Sequence, residues 1–126
     1  MKHKTKRMIR IYELTDKCFM GFSVKQDSKF TFHHCIKKEY GGSNSIDNGA
    51  ILTKEAHQFL NYLEINNYEL YYLINCILIE ISKGKHHPSN EQWKEIHDLI
   101  VQYYRIKSLE EIDEEKIIPK RILSIM

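Results

Sequence analysis

The chain reads as an α+β domain, with short β-strands in its first half and amphipathic helices in its second. Three observations carry that reading. Residues 18–36 hold two short runs rich in Phe, Val, Thr and Ile, separated by polar turn residues. Residues 68–82 place Leu70, Leu73, Ile74, Ile77, Leu78 and Ile81 at the three-and-four spacing of a buried helix face. A length of 126 residues, 42% hydrophobic and 29% charged, leaves room for one packed domain and little else.

Taken in order, residues 1–17 form a basic lead-in in which Ile9, Ile11 and Leu14 are available to pack. Cys18–Val24 and Phe30–Ile36 read as strands, and the polar residues 25–29 between them predict a hairpin. Lys37 to Gly49 reads as a loop, marked by Gly41-Gly42-Ser43-Asn44 and by Asp47-Asn48-Gly49. Ala50-Ile51-Leu52 is a short extended segment. Thr53 then offers an N-cap for a helix over about Lys54–Leu63, with Glu55 favourably placed in its first turn. The apolar helix at Tyr68–Ser82 is broken by Lys83-Gly84-Lys85-His86-His87-Pro88. Ser89 and Gln92 have the spacing of a capping box, and Trp93, Ile96, Ile100, Val101 and Tyr104 form the stripe of the next helix. The acidic run 110–115 opens a tail, 108–126, that predicts a solvated segment.

Composition excludes several classes. Five Gly and two Pro rule out a collagenous or Pro-rich chain. Cys18, Cys35 and Cys76 are odd in number and form no CxxC pair, so neither a disulfide framework nor a zinc ribbon is implied. No long apolar run follows the basic N-terminus, and the most apolar stretch, Tyr71–Ile81, is interrupted by Asn75 and Glu80 and is far short of the ~20 residues of a membrane span. The expectation is a soluble cytoplasmic protein with no membrane partner. The net charge of +2 is too balanced to announce a nucleic-acid binder, but it is unevenly spread: residues 1–57 carry +5 and residues 58–126 carry −3.

The informative stretch is 32–61. A histidine doublet, His33-His34, is followed by Gly41-Gly42 seven residues after His34, by Asn48 fourteen after it, and by His57 nine after Asn48. The expected layout is strand, long loop, short strand, helix. This pattern resembles the HNH, or ββα-metal, nuclease family, particularly its colicin DNase branch, where a His-His doublet, a Gly-Gly, an Asp-Asn and a helical His recur at this spacing. The four His and Asn positions would coincide by composition in roughly one chain in 10³. The resemblance has motif strength over about thirty residues.

The resemblance implies a ββα-metal (HNH, His-Me finger) core over 18–64, a helical extension over 65–107, and hydrolysis of DNA phosphodiesters. It implies His34 as the general base, Asn48 positioning that base and its loop, and His33 with His57 as ligands of one divalent ion. The chemistry suits these residue types: imidazole titrates near neutrality, and phosphodiester hydrolysis needs a base, a cation and something that aims the base. Asn61, four residues after His57 and so on the same helix face, stands where the colicin pattern has a second helical His. It is a weak ligand, a phosphate contact or neither. Two imidazoles and an amide favour Zn²⁺, Ni²⁺ or Mn²⁺ over Mg²⁺ in raw affinity, although cellular abundance can reverse the choice. Lys37 and Lys38 beside the loop, and Arg7 and Arg10 with Lys2, Lys4 and Lys6 in the lead-in, are the expected phosphate contacts. The stand-alone size is similar to nucleases of phages and mobile elements.

Because adjacent strand residues point to opposite faces, the doublet is expected where the strand frays into the loop. Two rival readings share the core: an RNase, and a catalytically inactive HNH-fold module that binds protein or nucleic acid as an inhibitor or assembly factor, with the C-terminal helices as a surface for a protein partner. The remaining candidates have plainer roles. Cys35 reads as a small packed hydrophobe, His86-His87 as loop, His97 as surface, and Cys18-Phe19-Met20-Gly21 as half a zinc knuckle without its second cysteine.

Overall fold

The computed structural model describes residues 2–25 and 29–125. Helix α1 (His3–Ile11) comes first, followed by strand β1 (Phe30–His34), strand β2 (Gly49–Thr53) and helices α2 (Lys54–Asn66), α3 (Tyr68–Gly84) and α4 (Asn90–Ile125). The two strands form one antiparallel pair in which Phe30 faces Thr53, Phe32 faces Ile51 and His34 faces Gly49. This is the α+β class expected from the sequence.

Strand β2 is the centre of the molecule. All five of its residues are buried, and helices α1, α2 and α3 pack around it. The core continues through Met8, Tyr12, Phe19, Leu60, Leu63, Ile74, Leu78, Ile81 and Ile96, drawn from every helix and from the segment before β1. Helix α2 starts where Thr53 Oγ1 accepts the amide of Ala56 at 3.2 Å, the N-cap expected of that threonine. The capping box of α4 also forms: the Gln92 amide donates to Ser89 Oγ at 3.0 Å, and the Ser89 amide donates to Gln92 Oε1 at 2.9 Å. Of the expected α4 stripe, Ile96 is buried, and Tyr103 rather than Val101 or Tyr104 is the next buried position.

Four expectations are corrected. Cys18–Val24 is not a strand. Cys18, Phe19 and Met20 are buried in succession, so the alternation a strand needs is absent, and Gly21 at φ +81° closes a turn in which its amide reaches the Cys18 carbonyl. Among the described residues this segment has one isolated bridge, Lys17 to Ser23, and one backbone bond to β2, from the Phe19 amide to the Ile51 carbonyl. The hairpin is accordingly not the expected one: β1 pairs with β2 across a fourteen-residue connection, whereas Gln26, Asp27 and Ser28 of the expected turn lie outside the described residues. The basic lead-in is a helix whose basic residues mark its outer face, while Thr5 and Met8 face the core. The expected tail beginning at residue 108 is not a separate segment, because the backbone of α4 runs through it to Ile125; the acidic side chains after Glu110 lie outside the described residues. Among the described residues no helix is long and apolar enough to cross a membrane.

Candidate functional site

The connection between the strands is tied into a fixed loop by Asn48. Its Nδ2 donates to the carbonyls of Ile36 and Ser43, both at 2.8 Å, and its Oδ1 accepts the Ile36 amide at 2.8 Å. The main chain closes the base of the loop, with the Cys35 amide donating to the Asn48 carbonyl at 2.9 Å. The two glycines have different reasons to be there. Gly41 adopts φ +86°, and Gly42 lies so close to Ile36 that a Cβ would fall 1.8 Å from its carbonyl oxygen. Asn48 therefore holds both flanks of the loop: Ile36 is two residues from His34, and Ser43 is next to Asn44, whose Oδ1 accepts from His34 Nε2 at 2.8 Å. Asn48 does not touch the His34 ring itself; Asn44 is the side chain on it.

His33, His34, His57 and Asn61 line one open depression of about 420 Å³ together with Lys37 and Lys38. The doublet does not fray. Both histidines stay in the ladder, paired with Ala50 and Gly49, and the depression includes Phe32 and His34 from one strand face and His33 from the other. Among the described residues β1 has β2 as its sole partner strand, so the depression can wrap the other edge of β1. Lys37 is held at the rim by Glu64 at 2.8 Å.

The ring nitrogens of two histidines are assigned by their partners. His33 is 5% exposed, and its Nε2 lies 2.8 Å from Asn75 Oδ1. The Asn75 amide nitrogen is already donating to the Tyr71 carbonyl at 2.8 Å, so its oxygen is the atom facing the ring, and His33 Nε2 carries the proton. Thr31 uses its one hydroxyl proton on the Leu52 carbonyl at 3.0 Å, so at 2.9 Å from His57 Nδ1 it accepts. That leaves lone pairs on His33 Nδ1 and His57 Nε2, in rings whose centroids are 5.2 Å apart. Burial is the main cause that lowers the pKa of each imidazole, His33 to about 4, so both are neutral near pH 7. Neutral imidazoles pinned by a hydrogen bond on the far nitrogen are what a metal ion takes as ligands.

Among the described residues no three His, Cys, Asp or Glu side chains group so as to hold an ion. The side chains here that could hold a cation are the imidazoles of His33 and His57, with Asn61 lining the same depression. A second groove of about 420 Å³ adjoins it through Phe32, His34 and Lys38 and is lined by Lys2 and Lys4. Lys4 sits 4.4 Å over the Phe32 ring and donates to the Asn44 carbonyl. Arg7 and Arg10 are exposed on α1 and line neither groove.

Asn75, Thr31 and Asn44 are the functional neighbours that motif spacing does not reveal. Thr31 shares the strand face of His33 by alternation, and Asn75 is, with Glu80, one of the two interruptions of the apolar stretch Tyr71–Ile81, so each left a faint signal. The remaining candidates are structural. Cys35 is buried, with its thiol pushed up to about 12 by that burial; Cys18 is buried as well. His86 and His87 bond to neighbouring carbonyls, and His97 is exposed. No family model, no curated protein and no solved structure matches the chain. The class is α+β, with a histidine-lined depression on the edge of its strand pair.

Proposed function

We propose that the protein is a metal-dependent endonuclease of the HNH (ββα-metal) type that hydrolyses phosphodiester bonds of DNA. The observation that supports this most is the convergence of His33, His34 and His57 on one lysine-rimmed depression, with Asn75 and Thr31 leaving one lone pair on each of the two ligand imidazoles. His33 Nδ1 and His57 Nε2 would hold a divalent ion, which would supply positive charge for the phosphate and the leaving oxygen. With Asn44 fixing Nε2–H, His34 Nδ1 takes the proton of the attacking water as its oxygen bonds to phosphorus and the ester P–O bond breaks. Asn48 keeps the loop in place, and Lys37, Lys38, Lys2 and Lys4 neutralise flanking phosphates without reading sequence.

The test is plasmid cleavage in Mg²⁺, Mn²⁺, Ni²⁺ or Zn²⁺. Cutting is expected with at least one ion, and His34→Ala should slow it by about 10²- to 10⁴-fold. Intact plasmid with all four ions, or a His34→Ala variant that cuts like the wild type, removes the reading in favour of a binding module.

A further inference from the structure

A cavity of about 330 Å³ shares Lys37 with the histidine depression and is of a different character. One wall is a single face of α3, where Tyr68, Tyr71, Tyr72 and Asn75 follow at three- and four-residue intervals. Tyr40, from the short helical turn Lys38–Tyr40 of the loop, lines it as well. Tyr71 is buried, but Tyr40, Tyr68 and Tyr72 are 74%, 59% and 59% exposed. Three exposed tyrosines around one cavity do nothing for the core.

The polar groups inside are already committed. Asn75 spends its oxygen on His33 and its nitrogen on the Tyr71 carbonyl, and Glu64 is paired with Lys37. What remains for a ligand is aromatic faces and, in the adjoining depression that shares Lys37, the ammonium of Lys38, since Lys37 itself is held by Glu64. A flat π-faced group with polar edges, joined to an anion, matches that surface: a nucleobase on its phosphate.

We propose that this tyrosine cavity takes an unpaired base of the strand being cut, so that single-stranded or locally opened nucleic acid is the substrate. The inference rests on the nuclease reading, because Lys37 joins the two cavities: a strand with a phosphate at the histidine depression brings a neighbouring base to the tyrosines. A base stacked within an intact duplex has no face to offer them.

The test is fluorescence anisotropy of labelled twelve-nucleotide probes in EDTA, so that binding is read without cutting. Oligo-dT is expected to bind about 5- to 100-fold more tightly than a fully abasic strand of the same length, since only bases distinguish the two. Tyr68→Ala and Tyr72→Ala should each reduce that difference, whereas Tyr68→Phe and Tyr72→Phe, which keep the ring, should preserve it. Equal affinity for abasic and base-bearing strands overturns the proposal, as do Ala variants that keep the full preference. So does a dimer in solution that Tyr72→Ala dissociates, which would give the cavity to a second copy of the chain. Base-dependent binding with no cleavage under any ion keeps the cavity and removes the nuclease. Duplex cleavage with no base-dependent affinity does the reverse.

Discussion

Replacing Asn48 by alanine deletes three hydrogen bonds to the backbone at 2.8 Å and leaves the Ile36 amide without its partner. At about 1 kcal/mol net for each bond, the loss is about 3 kcal/mol. With a urea m-value of about 2 kcal/mol/M, the unfolding midpoint falls by about 1.5 M. Asn48→Asp sharpens the test because it is isosteric. It keeps an acceptor for the Ile36 amide but sets a carboxylate oxygen against the carbonyls of Ile36 and Ser43, where the amide now donates. At pH 7 it is expected to cost at least as much as alanine. If the loop opens on its own before the domain unfolds, the loss appears instead as faster hydrogen exchange at the Ile36 and Cys35 amides. Variants within 0.5 kcal/mol of wild type, with exchange at both amides unchanged, would refute the assignment of Asn48 as the clamp of this loop.

Three other outcomes are expected. Gly42→Ala drives a Cβ into the Ile36 carbonyl at 1.8 Å, so the backbone must shift, and a loss of about 1–3 kcal/mol or more should appear in chemical denaturation; a neutral result contradicts the close approach. Burial holds His33 neutral when folded, with its pKa near 4 against 6.5 unfolded. Its contribution is therefore complete above pH 6.5 and lost as the pH falls toward 4, by about 3 kcal/mol in all; His33→Gln should flatten that limb of a stability-against-pH curve. Asn75→Leu removes the acceptor that fixes the His33 tautomer, and calorimetric titration should show Ni²⁺ or Zn²⁺ affinity about 10- to 100-fold weaker, with unchanged affinity telling against the ligand role.

What the sequence disclosed and what it concealed divide along chain distance. Thr53, Ser89 and Gln92 were readable because a cap is settled within three residues. The α3 face was readable because its period is local, except that Leu73 of the expected stripe is exposed and Tyr71 is buried. Residues 18–24 misled because Phe and Val favour strands, while the structure packs three successive side chains inward and turns at Gly21. Helix α1 was hidden under its own lysines and arginines, although Thr5, Met8 and Tyr12 are buried at helical spacing. In the candidate site, the spacing of His33, His34, Asn48 and His57 was visible and the structure brings the three histidines together. Their supports were not visible, because Asn75 reaches His33 across 42 residues and Thr31 meets His57 across 26. Contacts of that range depend on how α2 and α3 dock, and residue spacing carries no record of it.

Helix α3 makes the depression a poor candidate for transplantation. Ser82 accepts from the Tyr12 hydroxyl through its carbonyl and donates to the Ile46 carbonyl through its own hydroxyl, so one residue of α3 tethers both the segment after α1 and the loop before β2. The same helix holds His33 through Asn75 and covers β2. A chain cut after Glu64 would retain every histidine of the motif yet leave His33 Nε2 without its acceptor and the apolar centre open to water. Grafting, shuffling or trimming this protein has to carry α3 along, and the smallest portable unit is set by that helix rather than by the motif.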